Sequence, residues 1–242
     1  MAEFKLPTET IELPSGGYLY SPESGLSSGK VEMKYMTAKE EDILSNQSYI
    51  QKGTVLDKLL QSLIVTKINY SDLLIGDKNA LMVAARVLGY GAEYQFQHRG
   101  ETQTVNLAEL DSKPLSEVIK TTPTNEFSFT LPVSKNELTF KLLTHQDEVS
   151  IKQELEGLKK INKDSYPELT TRLKYIIQSI NGDRERKIVR EFVDQALLAQ
   201  DARALRKYIY EISPDVDLTF FPSQGGDRIE IPVGLQFFWP DL

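Results

Sequence analysis

Histidine and cysteine, the side chains that most often carry out nucleophilic or metal chemistry, are scarce in this chain. It has no cysteine and two histidines, His98 and His145, which lie far apart in the sequence. Without cysteine the chain can form no disulfide, no thiol nucleophile and no thiolate zinc site. A Ser-His-Asp triad would need one of these histidines, and the sequence identifies no partners for either. We therefore expect both histidines to be surface or half-buried residues.

Two short segments approach the spacing of ligand-binding motifs without meeting it. Residues 25–31, GLSSGKV, resemble a phosphate-binding loop, but three residues separate the glycines instead of four, and Val31 replaces the hydroxyl residue that would bind magnesium. Asp215 and Asp217 are spaced like the first ligands of a calcium loop, but the glutamate expected at its twelfth position is missing. The sequence thus predicts no metal, no cofactor and no enzymatic activity.

Composition is that of an ordinary globular protein with an acidic balance. The chain has 242 residues, 40% of them hydrophobic, a formal net charge of −7 and a pI of about 5.1. Nucleic-acid-binding domains usually carry a basic patch, and the basic cluster at 184–187 lies among acidic residues. The longest largely apolar stretch, residues 59–65, is too short to span a membrane. We therefore expect neither nucleic acid nor a membrane as a partner.

The first region, residues 1–36, is predicted to be an arm of short strands and turns. Apolar and polar residues alternate at 11–13, a Pro-Ser-Gly-Gly turn follows at 14–17, and residues 18–20 would return as the second strand of a hairpin. The alternation over residues 31–35 predicts a further strand.

The second region, residues 37–91, is predicted to be helical. Thr37, with Glu40 three residues later, matches a capping box. Asp77 is expected to cap a later helix at its N-terminus and Gly89 to end it. This helix carries the small side chains of Ala80, Ala84 and Ala85, which predict that it packs closely in the interior.

The third region, residues 92–143, changes to a period of two. Two hairpins are predicted, with tips at residues 98–101 and 134–137. The sequence therefore predicts an antiparallel β region here.

The fourth region, residues 144–242, is predicted to be a helical bundle that ends in a C-terminal β-hairpin. Its first helix begins at Thr144. The next is predicted over 167–180 from one apolar stripe, Leu169, Leu173, Ile176, Ile177 and Ile180. Another is expected to face inward with Ile188, Phe192, Val193, Ala196 and Leu197. A last one, over 201–214, is expected to do so with Leu205, Tyr208, Ile209 and Ile212. The predicted class is α+β, with helical segments interleaved with short antiparallel β-hairpins in one or two compact domains.

Large apolar side chains at the C-terminal end form the candidate partner-binding site of the sequence. They are Phe237, Phe238, Trp239 and Pro240. In one interpretation the terminal strand folds back and these residues complete the core of the chain itself. In the other they anchor a partner, because aromatic residues are enriched in binding hot spots. Phe237 and Phe238 would alternate between the faces of a strand, so both interpretations can hold together.

Several fragments, in this order, resemble the baseplate hub proteins of contractile-tailed, T-even-type bacteriophages. The fragments are LPSGGYLY, VEMKYMTAKEEDIL, LLIGDKNALMVAARVLGYGAEY, VNLAEL and IPVGLQFFWPDL, and together they span nearly the whole chain. Members of that family often carry Cys-x-x-Cys pairs at two hairpin tips. This chain has residues 98–101 and 222–226 there, without cysteine, so a zinc-knuckle expectation does not carry over.

The resemblance implies a non-enzymatic structural or interaction protein of a phage tail baseplate hub. The alternative that it implies is a transient assembly chaperone for the hub or for the tape-measure protein of the tail. Partners would be other tail and baseplate proteins, and the location would be the virion tail, or the host cytoplasm during assembly. A small hydrolase or nucleotide-binding enzyme with an unrecognised site is the third hypothesis, from a different class.

Overall fold

A computed structural model describes residues 6–122, 124–162, 166–221 and 228–238. Helices alternate along the chain with short antiparallel strands, so the predicted α+β class is confirmed. The helices in these ranges are α1 (Ala38–Leu44), α2 (Gln47–Lys52), α3 (Val55–Leu63), α4 (Ile75–Tyr90), α5 (Glu117–Thr121), α6 (His145–Ile161), α7 (Glu168–Ile176), α8 (Arg186–Gln195) and α9 (Ala199–Ile212). The strands are β1 (Thr8–Glu12), β2 (Lys30–Lys34), β3 (Glu93–His98), β4 (Glu101–Asn106), β5 (Phe127–Thr130), β6 (Glu137–Phe140), β7 (Ile177–Ile180), β8 (Thr219–Phe220) and β9 (Ile229–Glu230).

The described sheets are small and antiparallel. β1 pairs with β2, β3 with β4 and β8 with β9, and a three-stranded sheet has the order β5-β6-β7. The predicted hairpins β3–β4 and β5–β6 are confirmed. The predicted final hairpin is present as β8–β9, while residues 222–227 at its tip lie outside the described ranges.

Two helices begin as the sequence predicts. Thr37 and Glu40 form a capping box at the start of α1, and Thr144 and Asp147 form one at the start of α6. In each box the two side chains bond backbone N–H groups that the first helical turn leaves without partners. These starts depend only on residues within one turn, which is why the sequence alone locates them.

The predicted hairpin between residues 11–13 and 18–20 is wrong. β1 pairs instead with β2, with Ile11 opposite Val31, and the chain between them folds into successive turns. Gly17 has a φ of +83°, and a Cβ atom there would lie 2.4 Å from the carbonyl oxygen of Ser27. Only glycine at position 17 therefore allows these two parts of the loop to come so close.

Asp77 joins this loop to α4 and is not the N-cap that the sequence predicts, because α4 already begins at Ile75. The buried Asp77 carboxyl group accepts hydrogen bonds from the Ser15 N–H (2.9 Å), the Ser15 hydroxyl (2.7 Å) and the Tyr20 hydroxyl (2.6 Å). The Tyr20 oxygen accepts in turn from the Leu74 N–H (2.9 Å). Burial raises the pKa of Asp77, and the hydrogen bonds from Tyr20 and Ser15 oppose that rise.

α4 also ends later than predicted. Gly89 is helical, and the helix ends at Tyr90 with Gly91 following at a φ of +85°. Gly89 lies inside the helix, and an ideal Cβ atom there would lie 2.8 Å from the Met36 side chain, so the glycine makes room for Met36. The predicted close packing of α4 is confirmed by the buried Ala80 and Ala85 and the half-buried Ala84.

The helix predicted over 167–180 is in fact α7 followed by β7. The backbone extends after Ile176, and β7 completes the sheet beside β6 with Ile180 opposite Leu138. β-branched side chains favour such strands, and the neighbouring strand supplies the hydrogen bonds. Leu169 of the predicted stripe is 45% exposed, while Leu173 and Ile176 are buried.

The predicted inward face of α8 is confirmed for Val193, which is buried, and for Phe192 and Leu197, which pack against the core, but is wrong for Ile188 and Ala196. Val189 and Val193 are buried, Phe192 is half-buried, and Ile188 and Ala196 are exposed. The turn before α8 contains left-handed backbone at Asn181 and Gly182. In α9 the prediction is confirmed for all four inward residues, Leu205 and Ile212 being buried and Tyr208 and Ile209 packing against the core.

One hydrophobic core joins the four regions that the sequence separates. Its buried residues run from Leu13 to Phe238 and include side chains from each region. β7, from residues 144–242, pairs with β6, from residues 92–143. The short elements are therefore stabilised by a shared core and not by their own hydrogen bonds alone.

Replacing Asp77 with alanine tests the hydrogen bonds that hold the loop between β1 and β2 against α4. We expect Asp77→Ala to lower the free energy of unfolding by about 2–4 kcal/mol, because it leaves buried donors of Ser15 and Tyr20 without an acceptor. Urea unfolding of the purified chain measures the change. The control, Asp42→Ala at an exposed site of α1, should stay within about 0.5 kcal/mol of wild type. Equal effects of the two substitutions would contradict the anchoring role of Asp77.

Candidate interaction site

The C-terminal aromatic segment lies within the core as far as the structure describes it. Phe237 and Phe238 are each 0% exposed and belong to a short 3-10 turn, Leu235–Phe238. The Phe237 ring meets Tyr94 edge to face, with 4.8 Å between ring centroids, and meets Phe238 in the same way at 5.5 Å. The predicted strand is wrong here, and in a helical turn two successive rings can both be buried.

Two of the four predicted partner-binding residues are thus occupied within the chain. Phe237 and Phe238 complete its own core, in agreement with the first of the two interpretations, and expose no surface to a partner. Trp239 and Pro240 lie outside the described residues. A partner-binding role for those two residues stays a prediction.

The N-terminal strand β1 has an open edge. In an antiparallel pair, successive residues direct their N–H and C=O groups alternately toward the partner strand and away from it. The Leu13 N–H donates to the Gly29 carbonyl (2.8 Å) and the Tyr35 N–H to the Pro7 carbonyl (3.1 Å), so the odd-numbered residues of β1 face β2. The residues whose N–H and C=O groups point away from β2 are Thr8, Thr10 and Glu12.

A groove of about 390 Å³ borders this edge and is called the edge groove below. Four consecutive residues of β1, Glu9–Glu12, line it. Because successive side chains leave a strand on opposite faces, this lining means that the groove meets the strand at its edge. Its apolar floor is the face of α4 formed by Ala80, Val83, Ala84, Val87 and Leu88. Its far wall consists of Leu107, Ala108, Leu110, Ser112 and Val216.

A buried carboxylate holds the β1–β2 sheet against the helices. Glu40 of α1 is 0% exposed and accepts hydrogen bonds from Lys34 of β2 (2.9 Å), from Ser62 of α3 (2.7 Å) and from the hydroxyl (2.6 Å) and N–H (2.9 Å) of Thr37. Burial alone would raise the pKa of Glu40, but the bonds from Thr37, Lys34 and Ser62 outweigh it and lower the pKa to about 2. Glu40 therefore stabilises the fold as a carboxylate.

A cluster of ionisable groups joins α3, α4 and α6. Lys78 Nζ lies 2.6 Å from Asp57 Oδ1 and 3.3 Å from His145 Nδ1, and the Tyr70 hydroxyl donates to Asp57 (3.0 Å). Burial, and then the charge of Lys78, lower the pKa of His145. His145 is 9% exposed and therefore buried, so the expected surface or half-buried position is wrong for it, while His98 at the end of β3 is half-buried as expected.

A second cavity, of about 310 Å³, lies between α4, α7 and α9 and is lined by several lysine and arginine side chains. Lys141 is paired with Asp147 at 2.7 Å, and Arg172 with Glu148 at 2.6 Å. Lys113 lies over the Tyr210 ring, 4.1 Å from its centroid. These cations are thus engaged with groups of the chain itself.

The acidic pair considered for calcium also has protein partners. Asp215 accepts a hydrogen bond from Asn79 (3.0 Å), and Asp217 accepts from Thr219 (2.5 Å) and pairs with Arg228. Within the described residues, no group of three or more His, Asp or Glu side chains is arranged to hold a metal ion.

Comparison with known proteins gives no relative for this chain. No family model, no curated protein and no solved structure matches it. Among the described residues, no helix is long and apolar enough to cross a membrane.

The sequence did not predict the edge groove. Its floor on α4 is separated from β1 by more than sixty residues, and the predicted hairpin gave β1 the wrong partner. The one available signal was the segment TETIE itself, because charged residues on a short strand are typical of sheet edges.

Acid should reduce the contribution of Glu40 to the free energy of unfolding. Its pKa is lowered from 4.5 to about 2 in the folded chain, so its contribution is complete above pH 4.5 and is lost as the pH falls toward 2. We expect the difference in unfolding free energy between wild type and Glu40→Gln to fall from about 3 kcal/mol at pH 6 to about half of that at pH 3. Urea unfolding across this range measures it.

The matched control is Glu156→Gln, at an exposed position of α6. It should differ little from wild type at either pH. A Glu40→Gln difference that stays constant, or grows, as the pH falls would show that Glu40 is not a stabilising carboxylate.

Proposed function

We propose that the chain is a non-enzymatic structural and interaction protein of the baseplate hub of a contractile phage tail. It would bind other tail and baseplate proteins, and it would be found in the virion tail, or in the host cytoplasm during assembly. The ordered resemblance of its fragments to T-even-type hub proteins suggests this setting.

The observation that carries the interaction role is the edge groove. An open strand edge offers main-chain hydrogen-bonding groups to another chain, and here it runs beside an apolar floor formed by α4. Strand edge and apolar groove together form a common type of protein-binding surface. The buried Phe237 and Phe238 do not contribute to such a surface.

A transient assembly chaperone for the hub or the tape-measure protein is the alternative. Both functions need a binding surface, so the edge groove is compatible with either. They differ in whether the chain stays in the finished particle.

Quantitative mass spectrometry of purified phage particles and of isolated assembly intermediates tests the proposal. A hub subunit should be present in finished particles at a small, fixed stoichiometry relative to the other baseplate proteins. Presence in intermediates alone would indicate the chaperone. Absence from both would contradict the phage-tail assignment altogether.

A further inference from the structure

We propose that the edge groove binds an extended segment of a partner protein that alternates basic and apolar residues and adds to β1 as a further strand. The inference rests on the interaction role proposed above and specifies the chemistry of the partner. Strand addition obtains affinity from main-chain hydrogen bonds and specificity from pockets for alternate side chains.

The main chain of β1 selects an extended partner. Thr8, Thr10 and Glu12 each direct one N–H and one C=O group away from β2. Groups repeated at every second residue match the spacing of another strand. A helix could not satisfy them, because its own N–H and C=O groups are bonded internally.

The floor of the groove selects apolar residues at alternate positions. Ile11 of β1 both lines the groove and packs against the core. Side chains of an added strand on that same face would therefore contact Val83 and Val87 of α4. The small side chains of Ala80 and Ala84 leave room for them.

The charge of the groove's acidic rim, formed by Glu9 and Glu12 of β1, selects basic residues at the remaining positions of the added strand. The described lining of the groove includes Glu9 and Glu12 and no lysine or arginine. Glu9 accepts one hydrogen bond from the Tyr35 hydroxyl (3.1 Å), and Glu12 pairs at 3.1 Å with Lys30 while both side chains stay mostly exposed. Glu9 shares the face of Ile11, while Glu12 lies on the opposite face of β1, where the remaining side chains of an added strand would lie. Exposed pairs such as Glu12–Lys30 are weak, so the Glu12 carboxylate is available to cross-strand cations on that face.

A second copy of the chain fits this edge poorly. Pairing β1 with β1 of another copy would bring Glu9 and Glu12 of both chains to one interface. Like charges across neighbouring strands are destabilising. The acidic rim thus favours a different protein over self-association.

The test uses the full chain and a capped nine-residue peptide of alternating lysine and valine, titrated by calorimetry. We expect saturable binding, and binding at least about tenfold weaker for a peptide with glutamate in place of lysine. Two further peptides carry N-methyl groups on all lysines or on all valines. Because the N–H groups of every second residue face β1, one methylated peptide should lose binding and the other should keep it.

Variants of the chain locate the site. Thr10→Pro removes an outward N–H without removing a β1–β2 hydrogen bond, a change that edge strands tolerate, and it should weaken binding about tenfold. Thr10→Val, which keeps the N–H, should bind like wild type. If Thr10→Pro does not fold, Ala84→Arg on α4 replaces it. The arginine side chain would fill part of the groove, and its charge would repel the lysines of the peptide. Ala38→Arg, at an exposed position of α1, is its control.

Several results would overturn the inference. They are the absence of saturable binding, equal binding of the glutamate peptide, equal effects of the two methylated peptides, and wild-type binding by Ala84→Arg. A dimer in analytical ultracentrifugation that Ala84→Arg dissociates would identify a second copy as the occupant instead.

These outcomes are independent of the hub assignment. A chain that is missing from phage particles but binds the peptide contradicts the hub and keeps strand addition. A chain that is present in particles but does not bind the peptide contradicts strand addition alone.

Discussion

The buried side chain of Asp77 is the constraint on which the N-terminal part of the molecule depends. By accepting hydrogen bonds from Ser15 and Tyr20, it fixes the loop between β1 and β2 onto the first turn of α4. That loop sets β1 beside β2, and α4 also forms the floor of the edge groove. This one buried side chain thus connects the loop that joins β1 and β2 to the helix that forms the floor of the groove. Leaving its hydrogen bonds unmade would leave buried polar groups without partners.

Features that depend on a few neighbouring residues could be predicted from the sequence. The capping boxes at Thr37 and Thr144 and the hairpins β3–β4 and β5–β6 are confirmed for that reason. Features that depend on distant contacts could not. The apolar stripe that includes Ile177 and Ile180 fits a helix, but the neighbouring sheet draws these residues into β7. Periodicity cannot show which sheet lies nearby.

The candidate site follows the same rule. The aromatic residues Phe237 and Phe238 were visible in the sequence, but their burial against Tyr94 depends on a partner more than a hundred residues away. The open edge of β1 is a property of strand pairing, and the sequence predicted the wrong partner for β1. The resemblance to phage hub proteins suggests where the chain works, while the edge groove indicates how it would bind. These two proposals rest on different observations.

Amide hydrogen exchange along β1, measured by NMR on the free chain, tests the open edge most directly. The account predicts an alternating pattern, with slow exchange at Glu9 and Ile11, whose N–H groups face β2, and fast exchange at Thr8, Thr10 and Glu12. Uniformly slow exchange would mean that the outer edge is already covered. Uniformly fast exchange would mean that β1 is not held beside β2. Either result would contradict the account.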